Sequence, residues 1–355
     1  MYVIRADGNA KIGAGHLMRC LTIAEALAQE TDRNEILFFC ADELSAELVR
    51  KKDFAVHVLG TDYRCMELEL PLWKQLDIKT SVILVDSYFV TDYYLRALRQ
   101  FGVTILLDDM QEDDFPVDAV INYNAFAEEE SYRELYRHMN TKCYIGAAYV
   151  PLRPQFVGCA YQVQDEVQNI LITTGGGDVD NIAGAILEKV VEAESTLKNG
   201  ERLNYHLIIG KYNPHLEELK QRVAGDPRIF LHCDVEDMAG LMQRCDLAIT
   251  AGGTTVYELA ALGVPFVCFS YAENQERLTH YVGEQGIAGY AGAYHRDPQG
   301  TLLKMQKLLK EYCTDKDKRI ECYLMERAMV DGGGARRIAK KITAINVNSG
   351  DRKRQ

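Results

Sequence analysis

Short runs of continuous apolar residues alternate along the chain with longer segments in which apolar positions recur every three or four residues. In the first half these runs cover residues 2–5, 35–39, 81–85 and 103–107, with a further strand near Ala119. Uninterrupted apolarity over such short stretches, with amphipathic segments between, is the pattern of strands covered by helices on both faces. After Pro151-Leu152-Arg153-Pro154 the rhythm restarts at 169–173, 205–209, 228–231, 247–250 and 265–269. The pattern predicts an α/β protein of two Rossmann-like, doubly wound domains, 1–156 and 157–346, with a cleft between them. Residues 318–345 read as helix interrupted by Gly332-Gly333-Gly334, with the last helices free to pack back on the first domain. Residues 347–355 are expected to form a loose tail.

Length agrees with this division, because 355 residues exceed one comfortable core. With 47% apolar and 26% charged residues the chain can bury that core. No apolar stretch approaches the roughly 18 residues that cross a bilayer, and no basic segment followed by an apolar one opens the chain, so a cytoplasmic protein without membrane partners is expected. A net charge of −12 offers no global field for nucleic acid, although local backbone dipoles can still hold a small anion. The ten cysteines are scattered without a Cys-x-x-Cys pair, which reads as reduced, mostly buried thiols rather than disulfides or zinc. The oligomeric state is not legible, and a monomer suffices.

Candidate chemistry begins at Ile12-Gly13-Ala14-Gly15-His16-Leu17-Met18-Arg19, between the first strand and an amphipathic helix over 16–28. Gly13 and Gly15 let backbone N–H groups approach a phosphate at a helix N-terminus; a tight turn without a ligand is the plain alternative. An imidazole at that positive helix end is disfavoured as a cation, so His16 is expected to be a neutral general base. Arg19, one turn on, could steady a phosphate or be a solvated helix residue. The second half opens in the same way with Thr174-Gly175-Gly176-Gly177-Asp178. There Asp178 is expected to cap the following helix rather than contact a ligand.

The fullest motif is Gly252-Gly253-Thr254-Thr255-Val256-Tyr257-Glu258, continued by Gly263-Val264-Pro265 and Asn274-Gln275. Glycines at a strand end, with the hydroxyls of Thr254 and Thr255, are suited to a pyrophosphate at a helix N-terminus. Glu258 is suited to accept the two hydroxyls of a ribose, or else to serve as a first-turn partner of the helix dipole.

These residues resemble the donor-nucleotide site of GT-B-fold proteins related to the glycosyltransferase that makes lipid II. With Arg5-Ala6-Asp7 and the Gly-Ala-Gly-His-Leu-Met-Arg run, the chain resembles the UDP-2,4-diacetamido-2,4,6-trideoxy-β-L-altropyranose hydrolases of pseudaminic acid biosynthesis. Further points of similarity are Asp86-Ser87-Tyr88, Leu107-Asp108-Asp109, Asn122, 149–154 and Asp331-Gly332-Gly333-Gly334. The resemblance implies that His16 is catalytic, that the glycine loops bind the diphosphate, and that Glu258 binds ribose. It further implies that Tyr88, Asn274 and Gln275 contact the sugar or phosphate, against packing for Tyr88 and helix capping for the two amides. Backbone groups of 231–238, in the loop before a helix at Asp237, would line the uracil pocket. Gly177 stands where the family commonly has serine.

The expected reaction is attack of water at C1 of a UDP-linked deoxyamino sugar, with His16 taking the proton and UDP leaving. No cofactor and no metal enters this scheme. A glycosyltransferase of the same fold, or a non-catalytic UDP-sugar-binding protein of spore-coat polysaccharide assembly, is the alternative.

Overall fold

A computed structural model describes residues 1–9, 12–76, 78, 80–110, 113–175, 178–194, 203–210 and 213–352, with side chains through 345. The chain divides into two compact units, Met1–Arg153 with Gly333–Gln355, and Pro154–Gly332.

The first unit holds β1 (Tyr2–Ala6), β2 (Ile36–Cys40), β3 (Ala55–Val58), β4 (Val82–Asp86), β5 (Val103–Leu107), β6 (Ala119–Asn122) and β7 (Lys142–Ile145). They form one parallel sheet in the order β3-β2-β1-β4-β5-β6-β7. Every residue of β1 and β4 is buried, the apolar ones as a strand covered on both faces requires and the charged Arg5 and Asp86 along with them. The edge strands β3 and β7 escape a search for apolar runs, because Ala55-Val56-His57-Val58 and Lys142-Cys143-Tyr144-Ile145 leave residues exposed.

The second unit holds β8 (Asn169–Thr173), β9 (Asn204–Ile209), β10 (Ile229–Cys233), β11 (Leu247–Ala251), β12 (Phe266–Ser270) and β13 (Gly289–Ala293). They too form a parallel sheet, ordered β10-β9-β8-β11-β12-β13. β13 is hard to foresee from Gly289-Tyr290-Ala291-Gly292-Ala293, because glycine disfavours strands. β10 runs on through His232 and Cys233, beyond the predicted strand 228–231 and into the expected loop.

Each sheet reverses its strand order once, between β1 and β4 in the first unit and between β8 and β11 in the second. In open parallel sheets the crevice beyond the carboxyl ends of such strands is where ligands bind. The loops after β4, β8 and β11 carry Tyr88, Gly175 and Gly252-Gly253 respectively, and the loop after β1 leads into the first helical turn, which holds His16.

The final helix, Gly334–Arg352, belongs to the first unit. Its Ile338, Ala339, Ile342 and Ile345 join the core formed by Leu17, Leu21, Ile4 and Phe38. Glycine is needed where it starts, since a Cβ on Gly334 would lie 2.1 Å from the Val150 carbonyl oxygen. The helix continues past Asn346, where a loose tail was expected. With no proline to interrupt it, each added residue gains a backbone hydrogen bond once the helix is nucleated.

Candidate active site

In the first unit the chain turns after β1 through Gly13, whose φ of 76° favours glycine, and enters the helix Gly15–Leu27. Two buried contacts hold this turn: Asp7 Oδ1 accepts from the Ala41 amide at 2.7 Å, and Ser45 Oγ accepts from the Gly8 amide at 3.0 Å. Asp7 is itself held by Arg5, whose fully buried guanidinium also pairs with Glu69. The Arg5-Ala6-Asp7 run thus fixes the loop that presents His16.

His16 Nδ1 lies 2.5 Å from Asp86 Oδ1 at the end of β4. Arg19 donates from Nε to Asp86 Oδ2 at 2.5 Å, and its Nη2 also reaches Oδ1. Burial opposes ionisation of Asp86, but the adjoining Arg19 charge outweighs it and holds the carboxyl well below the usual carboxylate range. Asp86 is therefore an acceptor only, and the proton of the His16–Asp86 contact sits on Nδ1. Arg19 Nη2 and His16 Nδ1, 2.9 Å apart, are then two donors converging on Asp86 Oδ1. With Nδ1–H committed to Asp86, Nε2 is the ring nitrogen left to take a proton, and the His16 side chain remains 11% exposed. A recess of about 130 Å³ adjoins it, bordered by Asp7, Ile12, Tyr63, Ser87, Tyr88 and Phe89.

Arg19 is neither a solvated residue nor one free for phosphate. It is buried, and besides Asp86 its Nη1 donates to Asp109 Oδ2 at 2.6 Å and to the Tyr123 hydroxyl at 2.5 Å. Its guanidinium is committed to positioning Asp86, because a buried cation must be paired where it stands. Tyr88 stands beside His16, its ring edge-on with centroids 4.4 Å apart, and its hydroxyl donates to Asp109 Oδ2 at 3.2 Å.

In the second unit β8 leads into Thr174 and Gly175, the latter at φ 86°; Gly176 and Gly177 lie outside the described residues. Asp178 caps the next helix as expected, accepting from the amides of Ile182 at 2.7 Å and Ala183 at 3.1 Å. By contrast, Ala14, Gly253 and Ala272, the N-cap residues of the helices that begin at Gly15, Thr254 and Glu273, make no side-chain cap bond, which leaves first-turn amides for another acceptor.

Gly252 is needed for close approach. A Cβ there would lie 2.3 Å from Thr279 Cγ2, on the helix Glu273–Glu284. Gly253 faces open space, Thr254 is exposed, and Thr255 and Glu258 are partly exposed in the same first turns. Asn274 is exposed, whereas Gln275 uses its Oε1 to accept from the Tyr271 amide at 3.1 Å, closing the turn before its helix.

Asp86, Asp109 and Tyr123 were not singled out by sequence reasoning as site residues, and Thr174, whose buried hydroxyl has no partner among the described residues, was also missed. For Asp86 a signal existed: a carboxylate ending a buried apolar strand is costly unless paired.

Residues 169–321 match the family model described as the glycosyltransferase family 28 C-terminal domain. The chain is 27% identical over 341 residues to the spore coat polysaccharide biosynthesis protein SpsG of Bacillus subtilis, covering 94% of this chain and 95% of that protein. It is 24% identical over 289 residues to the UDP-2,4-diacetamido-2,4,6-trideoxy-β-L-altropyranose hydrolase of Campylobacter jejuni, covering 80% and 96%. Among solved structures, MurG of Acinetobacter baumannii superposes with a TM-score of 0.66 at 15% identity, covering 97% of this chain and 99% of that one. The resemblance read from the motifs therefore stands, and the fold is that of GT-B proteins. No described helix is long and apolar enough to cross a membrane.

Proposed function

We propose that this chain, a relative of nucleotide-sugar hydrolases and transferases, hydrolyses a UDP-linked diacetamido-trideoxy hexose to UDP and the free sugar. The observation that carries the reading is the Asp86–His16 pair, with Nε2 left as the base beside an open recess. Water attacks C1 as Nε2 takes its proton; the C1–oxygen bond breaks, and its electron pair leaves on the β-phosphate of UDP. The uncapped amides after Gly253 and Ala272 stabilise that charge, and Glu258 takes the ribose hydroxyls. In this scheme water displaces UDP in a single step without a glycosyl intermediate, so the released anomer is inverted.

A transferase reading is favoured by one observation, the match of 169–321 to a glycosyltransferase domain. In it His16 would activate an acceptor hydroxyl instead of water. Incubation of the protein with the UDP-sugar in ¹⁸O-water, without an acceptor, separates the two. Steady UDP release with label at sugar C1 is expected. Release only after an acceptor is added would support transfer, and label in the β-phosphate of UDP would refute attack at carbon.

A further inference from the structure

Tyr88 and Ser87 border two recesses rather than one. On one side lies the space beside His16. On the other, Val90, Leu106, Leu107, Met110 and Phe115 form apolar walls around Asp109. Asp108 also borders this second space, but its oxygens accept from the Tyr132 hydroxyl at 2.6 Å and the Met110 amide at 3.0 Å.

Asp109 is differently placed. Its Oδ2 accepts from Arg19 and Tyr88, while its Oδ1 is buried with no partner among the described residues. A carboxylate oxygen shielded from water and without a donor is costly. The Tyr88 bond that closes the partition is long for a hydroxyl on a carboxylate, and the Tyr88 residue is 53% exposed. The Tyr88 side of the wall is thus held by one long hydrogen bond and an edge-on contact with the His16 ring, and behind it lie an acceptor in need of a donor and an apolar lining.

We infer that the recess behind Tyr88 is a subsite for an acylamino substituent of the sugar, with Asp109 accepting its N–H and the apolar walls taking its methyl end. An acylamino group has both parts of this chemistry. A hydroxyl could donate but would leave Val90, Met110 and Phe115 facing nothing apolar, and an ammonium would be buried beside the Arg19 cation. Displacement of the Tyr88 ring opens the subsite to the His16 recess, so Tyr88 and Asp109 determine which sugars reach the base.

The inference rests on the nucleotide-sugar reading, and the test separates the two. Calorimetry on the full chain compares UDP, UDP-glucose and UDP-N-acetylglucosamine; the two sugars differ only by acetamido for hydroxyl. The acetamido sugar is expected to bind about tenfold tighter, as one hydrogen bond to a charged group and one buried methyl imply. Val90→Trp fills the recess and should bring that ratio to within about twofold, with UDP affinity unchanged and a thermal melt verifying the fold. Tyr88→Phe, at an exposed ring, removes the hydroxyl bond to Asp109 Oδ2 that holds the partition closed and should raise the ratio by about threefold or more. UDP binding with a wild-type ratio near one would overturn the subsite alone, as would a ratio that survives Val90→Trp or fails to rise in Tyr88→Phe. Failure of UDP itself to bind would overturn the nucleotide-sugar reading and the subsite with it.

Discussion

Replacing Asp86 by asparagine tests the catalytic arrangement at its least replaceable point. The carboxylate receives His16 Nδ1 on Oδ1, Arg19 Nε on Oδ2, Arg19 Nη2 on Oδ1, and the Cys20 thiol on Oδ2 at 3.4 Å. An amide has one accepting oxygen where these groups need two. If its oxygen faces Arg19 Nε, its NH2 faces His16 Nδ1 and donates to it, which moves the ring proton to Nε2 and removes the base. If it is flipped, His16 keeps its tautomer, but Arg19 Nε meets a donor and the ion pair that holds the ring in place is gone. The wrong tautomer or loss of a positioned base costs about 10²–10⁴ in turnover. Breaking a buried ion pair costs about 3 kcal/mol or more, toward the lower end here because Arg19 keeps Asp109. UDP release should therefore fall by that factor in a protein that still folds, while UDP affinity, assigned to the second unit, stays within about threefold. The double variant Asp86→Asn with His16→Asn should be no slower than His16→Asn alone, because both act through one proton transfer. Turnover within about threefold of wild type in folded Asp86→Asn, or losses that multiply in the double variant, would refute a role through His16.

Glu258→Ala should weaken UDP binding by about 1.5–3 kcal/mol with a smaller loss of turnover at saturation; unchanged calorimetric affinity would remove it from the ribose site. Gly252→Ala should destabilise the second unit by about 1–3 kcal/mol in urea melts, since its Cβ meets Thr279 Cγ2, whereas Gly253→Ala, in open space, should keep stability and lose UDP affinity. Glu326 is fully buried, and burial pushes its carboxyl well above the usual range despite the Phe266 amide, so the folded state holds a proton that the unfolded chain gives up. Stability associated with it is present below the ordinary carboxylate pKa and is lost as pH rises toward the folded value. Glu326→Gln should therefore raise the melting temperature more at pH about 8 than at about 5, and an equal or opposite change would mean the carboxyl is ionised in the fold.

The chain's local code determined its strand-and-helix rhythm, because a parallel strand covered on both faces must be largely apolar, as in β5 and β8, whose limits the predicted strands match. It also determined the glycine loops, where Gly13 and Gly175 adopt positive φ, and the cap formed by Asp178, because backbone geometry and first-turn amides are satisfied by near neighbours. Edge strands β3 and β7 were not legible, since a strand with one side in solvent gains little from apolar residues. Nor were the partners of His16. Asp86 is 70 residues away and meets it only because the sheet order makes β4 the neighbour of β1, and Asp109 reaches Arg19 across a separation of 90. Arg19 reads equally well as solvated or anion-binding in one dimension; burial decided against both, because a guanidinium removed from water must find its carboxylates in the fold around it.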